Sequence, residues 1–267
     1  MSTDGAHATH GDRAQAERAT TTIRIAAAGD IHCRESNRDE IASAFRSLPE
    51  SVDLVLLAGD LTTCGEPSEA AVLAAACEPL SVPVVAVLGN HDWHARRADE
   101  VCAILRAAGI DVLERSSTVR DINGYEVGIV GCKGFVGGYG ASHLPDFGEP
   151  LLRRIYAETS NDVEALWEGL RAIANCPLRI VLLHYAPTDA TLPGERRDIW
   201  VFLGTDRLAA PIVEHQPDLV LHGHAHAGRL EGEIGEVPVY NVSVPVIERD
   251  FWLLELAVPA MPATPIR

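Results

Sequence analysis

The sequence has 267 residues, of which 47% are hydrophobic and 22% charged, a composition that suits one large domain or two small ones with a buried core. Its 22 Lys and Arg residues and 38 Asp and Glu residues give a formal net charge of −16. This acidic balance excludes strong non-specific binding to nucleic acid or to an anionic membrane, because both need a basic surface.

Residues 1–20 are polar and charged and lack the apolar core of a secretory signal peptide. No uninterrupted apolar stretch of about 20 residues indicates a membrane-spanning helix. The six cysteines show neither CxxC pairs nor the dense spacing of a disulfide framework. We therefore expect a cytoplasmic protein with reduced thiols, in which residues 1–21 form a disordered arm, residues 22–260 a single domain and residues 261–267 a tail.

The first half of the chain alternates predicted strands and helices. Apolar runs at 23–28, 53–58 and 83–88 are typical of strands that are buried on both faces. Between them, residues 38–48 and 68–77 have apolar side chains at helical spacing. The resulting β-α-β-α-β order predicts a mostly parallel sheet.

The second half combines hairpins with further buried strands. Asn123-Gly124, a dipeptide typical of tight hairpin turns, separates predicted strands at 119–122 and 125–130. Similar runs flank Gly235-Glu236. The remaining predicted elements are a helix at 151–174 and strands at 178–183, 218–221, 228–234, 237–242 and 251–258. No linker, repeat or low-complexity tract divides the chain, so a single α/β domain is predicted.

Residues that can bind metals follow five of the predicted strands. In chain order they are Asp30-x-His32, Asp60, Asn90-His91-Asp92, His184 and His224-x-His226. In open α/β sheets, ligands bind beyond the carboxyl ends of the strands. One Asp after a strand is more often a helix cap, and one His is more often a core residue. Five such strand ends in succession favour a shared metal site.

The number of these side chains indicates two ions. Seven residues are candidate ligands, too many for one transition-metal ion: Asp30, His32, Asp60, Asn90, His184, His224 and His226. If Asp60 bridges, each of two ions receives four protein ligands. Two divalent ions outweigh the charges of two aspartates and a hydroxide, so the site is net positive and attracts phosphate. Mixed imidazole, carboxylate and amide ligands favour Mn, Fe, Zn, Co or Ni over Mg or Ca.

These ordered motifs resemble those of the calcineurin-like metallophosphoesterases over about residues 23–251. The resemblance implies a four-layer α/β-β/α sandwich of two mixed sheets flanked by helices. It also implies two divalent or trivalent transition-metal ions, with Mn, Fe or Zn as the leading candidates, and hydroxide held between them that attacks phosphorus. By resemblance, Asp30, His32, Asp60 and His226 bind one ion, and Asp60, Asn90, His184 and His224 bind the other.

The same resemblance gives His91 a catalytic role, because in the family this histidine faces the substrate phosphate and stabilises charge or protonates the leaving group. Asp92 either orients His91 or supports the loop. Residues 61–67 are similar to bacterial class III cyclic-nucleotide phosphodiesterases. Protein serine/threonine phosphatases of the family carry an orienting aspartate where this chain has Thr63, so the partner of His91 is left open.

The glycine-rich segment 131–140 is expected to approach a ligand closely. Lys133, the only lysine of the chain, is predicted to contact the substrate phosphate, with Phe135 or Tyr139 stacking on a ring. The alternative is a loop of tight turns with a solvated Lys133. Two further histidines are not needed as ligands. His94, just past the third motif, is expected to be a loop residue, with contact to a leaving group as the alternative, and His222 is expected to lie in the core or to support the ligands.

The sequence thus predicts a metal-dependent hydrolase of a small phosphoester, with phosphodiesters slightly favoured over monoesters. Two alternatives remain, an inert binding scaffold with the same fold and a nuclease that acts on short oligonucleotides. The complete ligand set and His91 argue against the scaffold, and the net charge argues against long polynucleotides. The oligomeric state is left open.

Overall fold

The computed structural model describes residues 21–258. The predicted tail at 261–267 lies outside this range, as does the predicted arm except for Thr21, which begins the first strand. Within the described range the strands are β1 (Thr21–Ala28), β2 (Leu54–Ala58), β3 (Val84–Val87), β4 (Asp111–Val112), β5 (Ser116–Ile122), β6 (Tyr125–Cys132), β7 (Gly138–Tyr139), β8 (Ser142–His143), β9 (Leu178–Leu183), β10 (Leu219–His222), β11 (Glu231–Ile234), β12 (Val237–Asn241) and β13 (Trp252–Val258).

The helices connect these strands and cover the sheets. They are α1 (Arg38–Arg46), α2 (Pro67–Cys77), α3 (Ala98–Ala107), α4 (Pro150–Ala172), α5 (Trp200–Leu203), α6 (Ala209–His215) and α7 (Val244–Ile247). Short 3-10 turns add Glu35–Asn37, His91–Trp93, Asp189–Thr191, Arg197–Ile199 and Asp206–Leu208. None of the helices in residues 21–258 combines the length and the apolar character that crossing a membrane requires.

Two mixed sheets form the centre of the fold. The first has the strand order β13-β1-β2-β3-β4, in which β1 to β4 are parallel and β13 is antiparallel. The second has the order β11-β12-β10-β9-β6-β5, in which the four central strands are parallel and the two edge strands are antiparallel. Strands β7 and β8 form a separate small ribbon.

Alternate residues of each buried strand pack on opposite sides of its sheet. In β2, Leu54 and Leu56 belong to a core between the two sheets, together with Ile129 and Ile180 of the second sheet. Val55 instead packs in the cluster under α1, α2 and α3. A third cluster joins the outer face of the second sheet to α4 and α6. The predicted four-layer α/β-β/α sandwich is confirmed.

The structure also differs from the sequence predictions. It contains α3, which was not predicted, although Ala98, Val101, Cys102 and Leu105 recur at helical spacing and are buried. The predicted helix at 38–48 ends at Arg46. Both predicted hairpins are present, and Asn123 and Gly124 have the positive φ values, 55° and 84°, that such a tight turn needs.

Candidate metal centre

The seven predicted ligands lie together where strands of both sheets end. β1 is followed by Asp30 and His32, β2 by Asp60, and β3 by Asn90. From the second sheet, β9 is followed by His184, and β10 by His224 and His226. Two groups of closely spaced ligand atoms consist only of predicted ligands, Asp30 with His32 and His226, and Asp60 with His184 and His224, and a third joins His32 and Asp60 to His91.

The spacing of the donor atoms suits shared ions. Two ligands of one ion, each about 2.1 Å from it, lie roughly 3.0–3.4 Å apart in octahedral or tetrahedral geometry. His226 Nε2 is 2.8 Å from Asp30 Oδ1, and His184 Nε2 is 2.9 Å from Asn90 Oδ1, so both distances are slightly shorter than this range, by about 0.2 Å or less. Asp60 lies between the groups, with Oδ1 3.4 Å from His184 Nε2 and Oδ2 3.9 Å from His32 Nε2. Its two oxygens therefore face different groups, so Asp60 could belong to both ligand sets.

Four of the ligand residues have a strained backbone. Asp30, His32, Asp60 and His224 have φ values between 45° and 69°, and only nine non-glycine residues among 21–258 have positive φ. This left-handed region is unfavourable for residues with a side chain and is concentrated at functional sites. The strand ends therefore turn sharply at the residues that supply the ligands.

Glycines next to the ligands make room for ligands from neighbouring strands. A Cβ on Gly59 would lie 2.6 Å from His184 Nδ1, and one on Gly89 would lie 2.1 Å from Asp60 Oδ1. A Cβ on Gly223 would lie 2.4 Å from Asp30 Oδ2. These glycines are required because the carboxylates and the imidazole occupy the space of their missing side chains.

Hydrogen bonds to backbone oxygens set which ring nitrogens are available. His184 Nδ1 donates to the Ala58 carbonyl at 2.9 Å, so its Nε2 keeps the lone pair that faces Asp60 and Asn90. His224 Nε2 donates to the Phe202 carbonyl at 3.1 Å, which leaves its Nδ1 free. Both imidazoles are thus held in tautomers that can bind an ion.

The pKa shifts give the same result. Burial, reinforced by His184, lowers the pKa of His224 to about 3, and burial also lowers the pKa of His32. Burial acts to raise the pKa of Asp30, but the hydrogen bond from His226 and the other nearby histidines bring it below its ordinary value. The same hydrogen bond raises the pKa of His226, whose proton an ion would displace. The lowered pKa values of His224, His32 and Asp30 favour two neutral imidazoles and an ionised carboxylate, donors that suit transition-metal ions.

His91 contacts this cluster from its solvent side. Its backbone N–H donates to Asp60 Oδ1 at 2.8 Å, and its Nε2 lies 3.8 Å from Asp60 Oδ2. Its Nδ1 donates to the backbone carbonyl of Thr63 at 2.7 Å. The partner that the sequence left open is therefore a main-chain oxygen, at the position where the phosphatases have a carboxylate. No side-chain pattern could have revealed it.

Asp92 supports the loops rather than His91. Its side chain is fully buried and accepts hydrogen bonds from the backbone N–H groups of Leu61, Thr62 and Gly89 and from the Thr62 hydroxyl. These donors follow β2 and β3, so the carboxylate joins the two loops that supply Asp60 and Asn90. Of the two roles left open by the sequence, these contacts correspond to the second.

The other candidate residues divide into two groups. Lys133 and Phe135 line a cavity next to Asn90, together with His94, whose ring is 4.4 Å from that of His91. His94 is thus close to the cluster, as the less favoured of its two sequence-based alternatives requires. Tyr139 is buried and donates to the Ala186 carbonyl, so the expectation that it could stack on a ring is wrong. His222 is a buried core residue bonded to Thr191, and burial lowers its pKa to about 4.

Comparison with known proteins identifies relatives of this fold. The model of a family described as calcineurin-like phosphoesterase matches residues 23–228. No curated protein gives a significant match. Similar solved structures include phosphopantetheinyl hydrolase from Mycobacterium tuberculosis, with a TM-score of 0.61 and 16% identity over 90% of this chain and 98% of that chain.

Two further structures are similar to this chain. TT1561 of Thermus thermophilus has a TM-score of 0.53 and 18% identity over 83% of this chain and 89% of that chain. GAP50, the anchor in the inner membrane complex of Plasmodium, has a TM-score of 0.52 and 11% identity over 84% of this chain and 72% of that chain. At these identities the likeness shows the fold alone.

Proposed function

The chain belongs to the calcineurin-like phosphoesterase family, and we propose that it is a dinuclear metal-dependent hydrolase of small phosphoesters, with phosphodiesters slightly favoured over monoesters. One observation carries the proposal: Asp60 directs its two oxygens at two groups of ligand atoms, and His91 Nε2 lies beside the same carboxylate. A binding scaffold has no physical need for that histidine.

The ligand sets follow from the two groups. Asp30, His32, Asp60 and His226 would hold one ion, and Asp60, Asn90, His184 and His224 would hold the other. When bound, the ions supply Lewis-acid polarisation of the phosphate oxygens and lower the pKa of water, and Mn, Fe and Zn all suit these donors. The positive charge they bring offsets the acidic character of the chain at this place.

His91 would act on the leaving group. Because Nδ1 donates to the Thr63 carbonyl, Nε2 is the atom that faces the cluster. In the imidazolium form Nε2 carries a proton that it can donate to a phosphate oxygen or to the departing oxygen. The Thr63 carbonyl accepts from Nδ1 and so fixes the orientation of the ring, with Nε2 directed at the cluster.

Two features support the narrower parts of the proposal. The wall of the cavity beside Asn90 carries one cationic side chain, Lys133, and one anionic side chain, Glu158, so it offers no excess positive charge to the dianion of a monoester. All six cysteine thiols are free, which is consistent with the cytoplasmic location that we propose.

The test is hydrolysis of bis-p-nitrophenyl phosphate and p-nitrophenyl phosphate by chelator-treated protein before and after addition of Mn²⁺. We expect activity only with the metal, loss of activity in Asp60→Asn, and a decrease of roughly 10²-fold or more in His91→Gln. Asp39→Asn and His143→Gln change the same residue types outside the candidate site and should retain activity. Metal-independent hydrolysis, or full activity in Asp60→Asn, would refute the proposal.

A further inference from the structure

A cavity of about 320 Å³ lies next to the candidate metal centre, with Asn90 in its wall. The rest of its lining is three aromatic residues and three polar ones: Trp93, Phe135, Tyr185, His94, Lys133 and Glu158. This volume is at the small end of the range for ligand pockets and suits a single ring.

The position of the cavity relates it to the leaving group. His94, in its wall, places its ring 4.4 Å from the ring of His91, which the proposed function makes the proton donor to the departing oxygen. A group leaving from phosphorus beside His91 would therefore pass toward His94 and Trp93. The inference rests on the proposed function in this respect.

Lys133 occupies the strand-end position next to His184. Cys132 and Leu183 are paired at the ends of the parallel strands β6 and β9, so Lys133 and His184 follow side by side. The Lys133 carbonyl accepts hydrogen bonds from the backbone N–H groups of His184 and Tyr185 at 3.1 and 2.9 Å. Its backbone is thus fixed to the segment that carries a candidate ligand.

The ammonium group of Lys133 has spare donors. Nζ donates to the Gly134 carbonyl at 3.1 Å and lies 4.2 Å from the ring centroid of Phe135 and 5.1 Å from that of Tyr185. Within residues 21–258 it forms no ion pair shorter than 4.0 Å. An ammonium has three N–H donors, so two remain for a ligand. A ligand that accepts from them would also bring a counter-charge to a half-buried cation.

The other walls limit the shape and charge of that ligand. Trp93 is 45% exposed, and with Phe135 it offers aromatic faces on which a flat ring can stack. Glu158 is paired with Arg115 but keeps a carboxylate in the wall. Lys133 is the only lysine or arginine in the lining, so the wall can balance one negative charge but not a phosphate dianion, and a ring with one acceptor group directed at Lys133 fits it.

We propose that this cavity is the leaving-group subsite and that it selects a flat aromatic or heteroaromatic ring bearing a carboxylate or a carbonyl oxygen for Lys133. In the reaction, the bond between phosphorus and the ring oxygen breaks, water supplies the hydroxyl group that phosphorus gains, and the remaining proton goes to the ring oxygen. Lys133 binds the ring substituent and takes no part in these bond changes.

The experiment compares two diesters, methyl 3-carboxyphenyl phosphate and methyl phenyl phosphate. A carboxylate in the meta position hardly changes the acidity of the phenol, so the two leaving groups are matched in reactivity. We expect wild-type kcat/KM to be roughly tenfold or more higher for the carboxylated ester, as for a hydrogen bond between charged groups. Lys133→Gln should remove this preference, and Phe135→Leu should lower kcat/KM for both esters.

Matched controls separate the cavity from general effects. Phe147→Leu replaces an aromatic residue that is 73% exposed and does not line the cavity. The ratio of its kcat/KM values for the two esters should therefore equal that of wild type. Circular dichroism confirms that each variant is folded. If Lys133→Gln does not fold, Phe135→Leu still tests ring recognition, because its ring lies under the Lys133 ammonium.

Binding of the products gives a readout that does not depend on turnover. We expect 3-hydroxybenzoate to bind about tenfold more tightly than phenol, with both affinities measured by ligand NMR. Lys133→Gln should abolish this difference in affinity. Hydrolysis of both esters with equal kcat/KM, or an unchanged preference in Lys133→Gln, would overturn this inference and leave the proposed function intact. Lys133-dependent binding of 3-hydroxybenzoate without hydrolysis of any ester would support ring recognition and refute the proposed function.

Discussion

Replacement of Asp92 by Asn tests whether this residue supports the loops or orients His91. Asp92 is fully buried, and its Oδ1 accepts from Thr62 N at 2.8 Å and from Thr62 Oγ1 at 2.5 Å. Its Oδ2 accepts from Leu61 N at 3.2 Å and from Gly89 N at 2.7 Å. The carboxylate therefore meets four donors, and an amide of the same shape satisfies fewer of them.

The better placement of the new amide follows from these contacts. With NH₂ at the Oδ1 position, the Thr62 hydroxyl can rotate and accept, so only Thr62 N is left facing another donor. One buried N–H without an acceptor costs about 1–3 kcal/mol. The opposite placement, with NH₂ at the Oδ2 position, leaves both Leu61 N and Gly89 N without an acceptor and costs about twice as much. We therefore expect Asp92→Asn to lower the free energy of unfolding by about 1–3 kcal/mol.

The assay is urea unfolding of chelator-treated wild type and Asp92→Asn at pH 7.5. Burial raises the pKa of Asp92 to about 6 against the opposing effect of its hydrogen bonds, so the wild-type carboxylate is ionised at this pH. The urea midpoint should fall with an unchanged m-value. Asp39→Asn, at an exposed position, should stay within about 0.5 kcal/mol of wild type.

A parallel measurement of kcat against pH completes the test. Because His91 Nδ1 donates to the Thr63 carbonyl, the pH profile of folded Asp92→Asn should match that of wild type. Unchanged stability together with a displaced pH profile would refute this reasoning and assign the orienting role to Asp92.

Three further predictions follow from the site. Gly89→Ala, whose Cβ would lie 2.1 Å from Asp60 Oδ1, should abolish calorimetric Mn²⁺ binding. Gly109→Ala, whose Cβ would meet no atom within 4 Å, should keep Mn²⁺ binding and lose only about 1 kcal/mol of stability, because of its positive φ. Equal Mn²⁺ affinities in the two variants would contradict this contrast. Thr63→Val should change kcat for the diester by less than about threefold, because the Thr63 carbonyl and not its hydroxyl holds His91. A loss of activity as large as that of His91→Gln would be incompatible with this contact. Refilling chelated protein with Mn²⁺ at 100 times the Kd of each site should add about 2.7 kcal/mol of stability per occupied site in calorimetric melting. The same total gain in Asp60→Asn would show that Asp60 does not serve both sites.

The fold could be predicted where apolar runs and turn residues act locally. The runs that form β2 and β9 are predominantly apolar, as is typical of strands buried on both faces. Asn123-Gly124 determines its hairpin turn because both residues adopt positive φ. The four-layer arrangement came from the family resemblance and not from periodicity. The pairing of β13 with β1 joins segments that are distant along the chain, and no local signal indicates such a contact.

The site was predictable at the level of residue types. The rule that ligands follow the carboxyl ends of buried strands selected Asp60 and His184 from the sequence. The rule predicts one sheet edge, whereas Asp60 follows a strand of the first sheet and His184 a strand of the second, with Asp60 Oδ1 3.4 Å from His184 Nε2. It could not show that the Thr63 carbonyl holds His91, because every residue has a carbonyl. Nor could it show that the rings of His94 and His91 would lie 4.4 Å apart, which depends on the 3-10 turn at His91–Trp93.

The candidate ligands are held largely across the boundary between the two sheets. Asp30 follows a strand of the first sheet, yet its carboxylate accepts from His224 N at 2.9 Å and from His226 Nε2 at 2.8 Å, both after β10 of the second sheet. In the other direction, His184 Nδ1 donates to the Ala58 carbonyl at the end of β2. A left-handed backbone costs of order 1 kcal/mol at each of four ligand residues and persists only where surrounding contacts fix it. Ions that bind only this arrangement would therefore stabilise the contact between the sheets. Amide hydrogen exchange should accordingly slow most at the ends of β1, β2 and β10 when Mn²⁺ is restored.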